Sequence, residues 1–475
     1  MHNLVWLVVL VAITYGVYCA ERRGRRMVAV HVVLAAAILD GVLFPKGGGS
    51  NGIFLPVAKQ SWIVLLPPAL LAARWLAGQG RRFVMSPALA GLAAFLGWTL
   101  AETVAGFLGG HPSHYVLLES KPVVTLGLTA VLVAGTSAEE LTARSGIRAL
   151  AWAAAPFALL VVGATEAKFV TSQSFGLFHG VETGTMGSDV ATLFATIGVL
   201  ALAVALASPR GQRAVILPGL VLIAAPAFTG QRASLLAVAA AIVLVLLAAL
   251  FGAGRVLRVT GREAGAVVLA VGLLLGGTAI ASAASGGISL SGSRITQSFT
   301  SQGKQDSASS RINQWQVASK LAVQEPVTGH GLGTTYHYVE LVKDAPDNYV
   351  ESDLTHDIFL DELLRGGLVA VLLLVVAFGS AIACGFAAYR RSSGPLLAAL
   401  AGAAAAGLVG LLVRGSVESI FEKERLCPLM GLLFGLVHVA WTTHRHRLAV
   451  PSRGGLAVAT PREELVAVSN GIGRV

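Results

Sequence analysis

Charge is scarce in this chain. Of its 475 residues only 13% are Asp, Glu, Lys or Arg, about half the share of an ordinary soluble protein, and that shortage excludes a water-soluble fold of this length. Cysteine is scarcer still. Cys19, Cys384 and Cys427 are the whole complement, too few and too far apart for a disulfide framework or a CxxC metal site. Basic residues interleaved with aromatics are missing as well, which sets nucleic acid aside although 35 Lys+Arg against 25 Asp+Glu leave a net charge of +10. The alternating segments of about ten residues that build a membrane β-barrel are also absent. What remains is apolar: residues of the AVILMFWYC set make up 55%, in repeated runs of about 17–25, the length that carries a helix across a hydrocarbon core. The fold class expected is an all-α polytopic membrane protein.

Thirteen spans are predicted, near 4–20, 27–44, 61–77, 84–108, 122–138, 149–165, 190–207, 214–228, 233–251, 265–284, 358–388, 395–413 and 426–443. Alternate connections carry Arg22, Arg23, Arg25 and Arg26; Arg81 and Arg82; Arg144 and Arg148; Arg210 and Arg213; Arg255, Arg258 and Arg262; Arg390 and Arg391; Arg445 and Arg447. By the positive-inside rule these face the cytoplasm. The other connections, 45–60, 109–121, 166–189, 285–357 and 414–425, then face outward, and lysines such as Lys121 in them are expected to meet lipid headgroups. The N-terminus falls outside and the C-terminus inside. The chain divides into a transmembrane bundle over 1–284, an extracytoplasmic segment over 285–357, further transmembrane helices over 358–443 and a cytoplasmic tail over 444–475.

The segment 285–357 is the one large polar stretch. It opens Gly- and Ser-rich, as a connection would. From Ser309, the residues Ile312, Trp315, Ala318, Leu321 and Ala322 recur at steps of three and four, an amphipathic helix ended by Pro326. Arg311 and Trp315 are four apart, so a guanidinium and an indole share one face. An interfacial anchor is the competing reading of Trp315, and a surface ion pair that of Arg311. GHGLGT at 329–334 needs a Gly-rich turn, yet it lacks the strand and helix of a nucleotide-binding unit. His356 then stands where the next helix starts, with Thr355 or Ser352 as its N-cap and with Asp353 and Asp357 near enough to orient an imidazole.

Three charges lie elsewhere along the spans. In TGQRASLLA, Arg232 falls in the first turn of a helix, where a guanidinium beside main-chain amides makes an anion site, although snorkelling would also place it there. Glu102 lies within the outer third of a span, and an intramembrane carboxylate is a functional candidate. Arg414, Lys423 and Arg425, interleaved with Glu418, Glu422 and Glu424, read as a mutually paired solvated loop, with Arg414 as a further cation for an anionic ligand.

TGQRASLLA resembles an element of the O-antigen ligase and polymerase superfamily: Thr, then Gly or Ser, any residue, then Arg. Arg311 with Trp315, the P-x-x-G-x-G from Pro326 to Gly331, and His356 continue the order of that family. Its ligases carry a histidine, an amide or Ser, nine residues, then Gly and a small residue three further on. Here His356, Asp357, Gly367 and Ala370 take those places, with Asp357 standing for the amide or Ser and Ala370 for a final Gly. The resemblance covers roughly 225–375.

The resemblance implies a GT-C-like bundle of about 12–13 transmembrane helices in a bacterial plasma membrane, with the active site on the extracytoplasmic face. It implies transfer of a glycan from a polyprenyl-diphosphate donor to a saccharide or envelope-polymer acceptor, by inversion and without metal or other cofactor. Arg232 and Arg311 would hold the donor diphosphate and His356 would take the acceptor proton. The residues themselves, apart from the resemblance, add Trp315, Asp353, Asp357, Arg414 and Glu102 as accessory candidates. Membrane lipids are the other expected partners. A transporter or flippase of lipid-linked saccharides is the alternative, but the halves show no self-similarity and transport needs no outer segment bearing Arg311 and His356.

Overall fold

The computed structural model describes residues 15–16, 18–20, 22–23, 25–43, 69–74, 76–77, 84–171, 188–229, 232–251, 305–340, 348–353, 355–392, 394–421 and 424–449. Apolar helices dominate them: α1 (Arg26–Leu43), α2 (Pro87–Leu108), α3 (Ser113–Ala134), α4 (Ala149–Thr171), α5 (Ser188–Ala207), α6 (Ile216–Thr229) and α7 (Arg232–Phe251). A polar helix α8 (Gln305–Ala322) and an antiparallel hairpin, β1 (Tyr336–Glu340) with β2 (Asn348–Ser352), precede α9 (Ile358–Arg391), α10 (Pro395–Gly415) and α11 (Cys427–Ala449). Six helices among the described residues are long and apolar enough to cross a membrane. The chain is an all-α polytopic membrane protein, as its composition requires; the predicted spans near 4–20, 61–77 and 265–284 fall largely or wholly outside the described residues.

The helices alternate in direction, which sorts their connections to two ends. At one end Arg148 donates to Ser208 Oγ at 2.7 Å, Arg26 to the Gly135 carbonyl, and the Tyr389 hydroxyl to the Ala248 carbonyl at 2.7 Å. At the other end lie α8, the hairpin, the start of α9 and the turn after α10. Small residues let the helices approach closely: a Cβ built on Gly91 of α2 would stand 2.9 Å from Ala377 Cα of α9.

The 34-residue α9 is two helical pieces joined at Gly367, which takes φ +66 and ψ −164. Such a break frees main-chain groups that lipid cannot satisfy. The segment from Pro326 to Thr334, with Trp98 of α2, supplies their partners. His330 N donates to Leu364 O at 3.0 Å, Gly331 N to Arg365 O at 2.8 Å, and Trp98 Nε1 to Gly366 O at 3.1 Å. In return Leu368 N donates to Pro326 O at 2.8 Å and Val369 N to Val327 O at 3.3 Å. GHGLGT is therefore a main-chain splint for a bent helix, and its close approach explains its glycines: a Cβ on Gly329 would fall 2.4 Å from the Arg365 carbonyl. His111 fixes the splint from the other side, Nδ1 to Leu332 O at 2.8 Å.

Several local expectations need correcting. The loop expected over 109–121 is only a short turn, since α3 starts at Ser113; Lys121 and Glu119 lie in that helix. Its polar first turns, with Ser113, His114 and Glu119, mask the helix in a hydropathy reading. The polar helix α8 starts four residues before Ser309, and the hairpin has no counterpart in the expected pattern. The N-cap of α9 is neither Thr355 nor Ser352 but Asp357, whose Oδ1 accepts from Phe359 N and Leu360 N, each at 2.9 Å. Ser352 is engaged in the hairpin instead, and the Thr355 hydroxyl donates to Asp357 O at 2.8 Å.

Candidate functional site

His356 is half-buried at the mouth of α9. Burial pushes the neighbouring Asp357 carboxyl up from the ordinary aspartate value, against the opposing pull of its two cap N–H groups. Directly beside this start lies the end of α10: a Cβ on Gly415 would touch Ile358 Cγ2 at 3.0 Å. Arg414, one residue earlier, has no exposed surface and pairs with Glu418 at 3.0 Å. Arg414 thus pairs within the charged cluster as expected but is buried, not solvated. Arg425, by contrast, pairs with another element, Asp189 at the start of α5, at 2.9 Å.

Arg311 joins the same corner. It is half-buried on α8 and donates to the Val417 carbonyl at 3.1 Å, so the polar helix is tethered to the turn that follows Arg414. Trp315, one helical turn on, is half-buried, and its indole nitrogen is buried without an acceptor among the described residues. Ser310, Gln314, Ala318 and Ala322 form the buried face of α8, and Ala318 and Ala322 pack on Tyr336 and Leu364.

Arg232 opens α7; its side chain lies outside the described residues. Its level follows from its neighbours. Thr192 Oγ1 of α5 donates to Ser234 Oγ at 2.9 Å, and a Cβ on Gly410 would stand 2.5 Å from Ala237 O. From that contact Arg414 lies four residues along α10, about 6 Å, and Arg232 lies five residues back along the antiparallel α7, about 7.5 Å. Both positions therefore reach the same end of the bundle at similar depth. The structure gathers His356, Arg311 and Arg414 on three elements at this end, with the first turn of α7 beside them.

Beneath this corner is a feature the sequence reading missed. Arg365 is 3% exposed and lies 3.2 Å from Asp361 Oδ2 and 3.2 Å from Glu119 Oε1, while its Nη2 donates to the Asp353 carbonyl at 2.7 Å. Glu119 Oε2 also accepts from Gly333 N at 2.7 Å, which ties α3 to the splint. Asp361, with no exposed surface, accepts from Thr355 N at 3.0 Å and from Ser419 Oγ at 2.9 Å. Glu102 and Glu362 are buried alongside, and the Glu102 carboxylate fills the space a side chain at Gly366 would take. Asp353 thus enters through its main chain, and Glu102 sits under the bend of α9. The signal available in the sequence was Asp361 and Arg365, four apart at the head of an apolar run.

Residues 217–375 match the O-antigen ligase family. No curated protein matches the chain. The matched stretch is about a third of the chain and contains Arg232, Arg311, the splint, Asp361, Arg365 and His356; Glu102, Glu119, Arg414 and Ser419 lie outside it. The family resemblance read from TGQRASLLA and its successors stands, and with it an enzymatic role in glycan ligation for a multi-pass membrane protein.

Proposed function

We propose that this protein transfers a glycan from a polyprenyl-diphosphate donor to a saccharide or envelope-polymer acceptor at the extracytoplasmic face of a bacterial plasma membrane. The observation that carries the reading is the meeting of Arg311, Arg414, the head of α7 and His356 at one end of an apolar bundle. A lipid diphosphate leaving an anomeric carbon gathers negative charge on its phosphate oxygens. In this reading the guanidinium groups of Arg232, Arg311 and Arg414 stabilise that charge where water is sparse, by about 3 kcal/mol for each well-placed donor. His356 accepts the proton of the acceptor hydroxyl as it attacks from the side opposite the leaving group, which inverts the anomeric centre. The cations supply the charge stabilisation that a divalent metal supplies elsewhere, so the reaction runs without one.

Cells lacking the gene test this. They are expected to lose long surface glycans and to accumulate the lipid-linked precursor, and the wild-type gene restores both. Arg232→Lys and Arg311→Lys keep the charge but lose the planar two-pronged donor, and each is expected to restore transfer to less than about a tenth of the wild-type rate, the loss of one charge-assisted hydrogen bond. Full restoration by both lysine variants would rule out direct diphosphate contact. An unchanged glycan profile and precursor pool in the deletion strain would overturn the reading, and a precursor that accumulates on the cytoplasmic leaflet instead of the outer one would favour the transporter alternative.

A further inference from the structure

The sequence offers Asp353 and Asp357 as the carboxylates that place His356, but the hydrogen bonds single out a third. We infer that Asp361 is a positioning residue: it holds the His356 segment and the turn after α10, to which Arg311 is tethered, at a fixed separation. This inference rests on the glycan-transfer reading above only for what the separation is used for. Asp361 Oδ1 takes the main-chain N–H of Thr355, the residue immediately before His356. Oδ2 takes the hydroxyl of Ser419, two residues after Val417, whose carbonyl receives Arg311. The same oxygen lies 3.2 Å from Arg365, which is anchored in turn to Glu119 of α3. One wholly buried carboxylate therefore joins the segment of the candidate base to the turn that follows Arg414 and receives Arg311, and the splint and α3 hold it still.

A group so placed acts through geometry. A displacement of about 1 Å between base and leaving-group site costs on the order of 100-fold in rate. Asp361→Asn retains one acceptor but loses the ionic hold on Arg365 and weakens the hold on Ser419. Ser419→Ala removes a single hydrogen bond and is the milder cut.

The test uses the full-length protein in lipid nanodiscs, with donor glycolipid extracted from cells lacking the gene and native membranes as acceptor. Asp361→Asn is expected to lower kcat by about 100-fold and Ser419→Ala by about tenfold, with the donor KM within about twofold of wild type. In a His356→Ala background neither change lowers the residual rate further, because both act through the histidine. A second readout needs no substrate: carbethoxylation of His356 by diethyl pyrocarbonate, followed by peptide mass spectrometry, is expected to run several-fold faster in both variants. Additive losses on His356→Ala, or carbethoxylation at the wild-type rate in Ser419→Ala, would overturn the inference. If wild-type protein fails to transfer glycan at all, the functional reading falls while the carbethoxylation rates still decide whether Asp361 positions His356.

Discussion

His356→Ala is expected to lower turnover by about 10²- to 10⁴-fold, the range for loss of a general base, while the protein still binds its donor. The split follows from the division of labour in the site. Arg311 is held on the Val417 carbonyl and Arg414 on Glu418, so the cations keep their places when the imidazole is removed. Asp357 continues to cap α9 through Phe359 and Leu360, so the helix start survives as well. The measurement is single-turnover transfer in nanodiscs set beside binding of the extracted donor. Turnover within threefold of wild type would remove His356 from the chemistry. A parallel loss of binding and turnover would make it a binding residue.

The largest effect on folding is expected at Gly367. Alanine there must adopt φ +66 with ψ −164, a conformation open almost to glycine alone, at a cost of about 1–3 kcal/mol. Its Cβ would also stand 2.2 Å from the Val327 carbonyl oxygen and 2.6 Å from Thr328 N. Those obstacles are main chain, so the splint must withdraw from the bend, which costs about 1–3 kcal/mol more. Little folded protein should accumulate, and what does should unfold at a lower temperature in detergent. Gly366 makes the instructive contrast. There the obstacle nearest a new Cβ is the end of a side chain, Glu102 Oε1 at 1.5 Å, which rotation can relieve, although Ala370 Cβ at 2.5 Å still crowds the position. Gly366→Ala should therefore be milder and improve when combined with Glu102→Ala. Gly379→Ala, later in α9 with no atom within 4 Å of the added methyl, should be neutral or slightly stabilising. Equal stability of all three single variants would disprove the splinted bend.

The parts of this protein visible in the sequence are those written in one stretch of chain. Apolar runs announce the helices because lipid imposes one length and one hydrogen-bonding solution on each of them. The four-residue step from Arg311 to Trp315 and the glycines of GHGLGT were equally legible, but the purpose of those glycines was not: they approach Arg365 and Gly106, residues far away in the chain. The ionic cluster was hidden for the same reason. Glu119 looks like a loop residue because its neighbours are polar, and Asp361 and Arg365 look like the solvated start of a span. Only the packing of α3 against the splint brings them together in a buried place. Arg414 shows the opposite failure. Charged neighbours at 418–425 suggested water, whereas the Arg414 side chain has no exposed surface.

The bend in α9 binds the stability of the membrane domain to that of the polar segment. Without Pro326–Thr334 the carbonyls of Leu364 and Arg365 and the N–H groups of Leu368 and Val369 lose their partners, and each orphaned group in an apolar setting costs a few kcal/mol. The bent helix is thus no free-standing transmembrane segment on which a catalytic loop has been hung. Helix and loop melt as one cooperative unit, so a lesion anywhere in the splint is felt at once in the hydrocarbon and at His356, eleven residues before the bend.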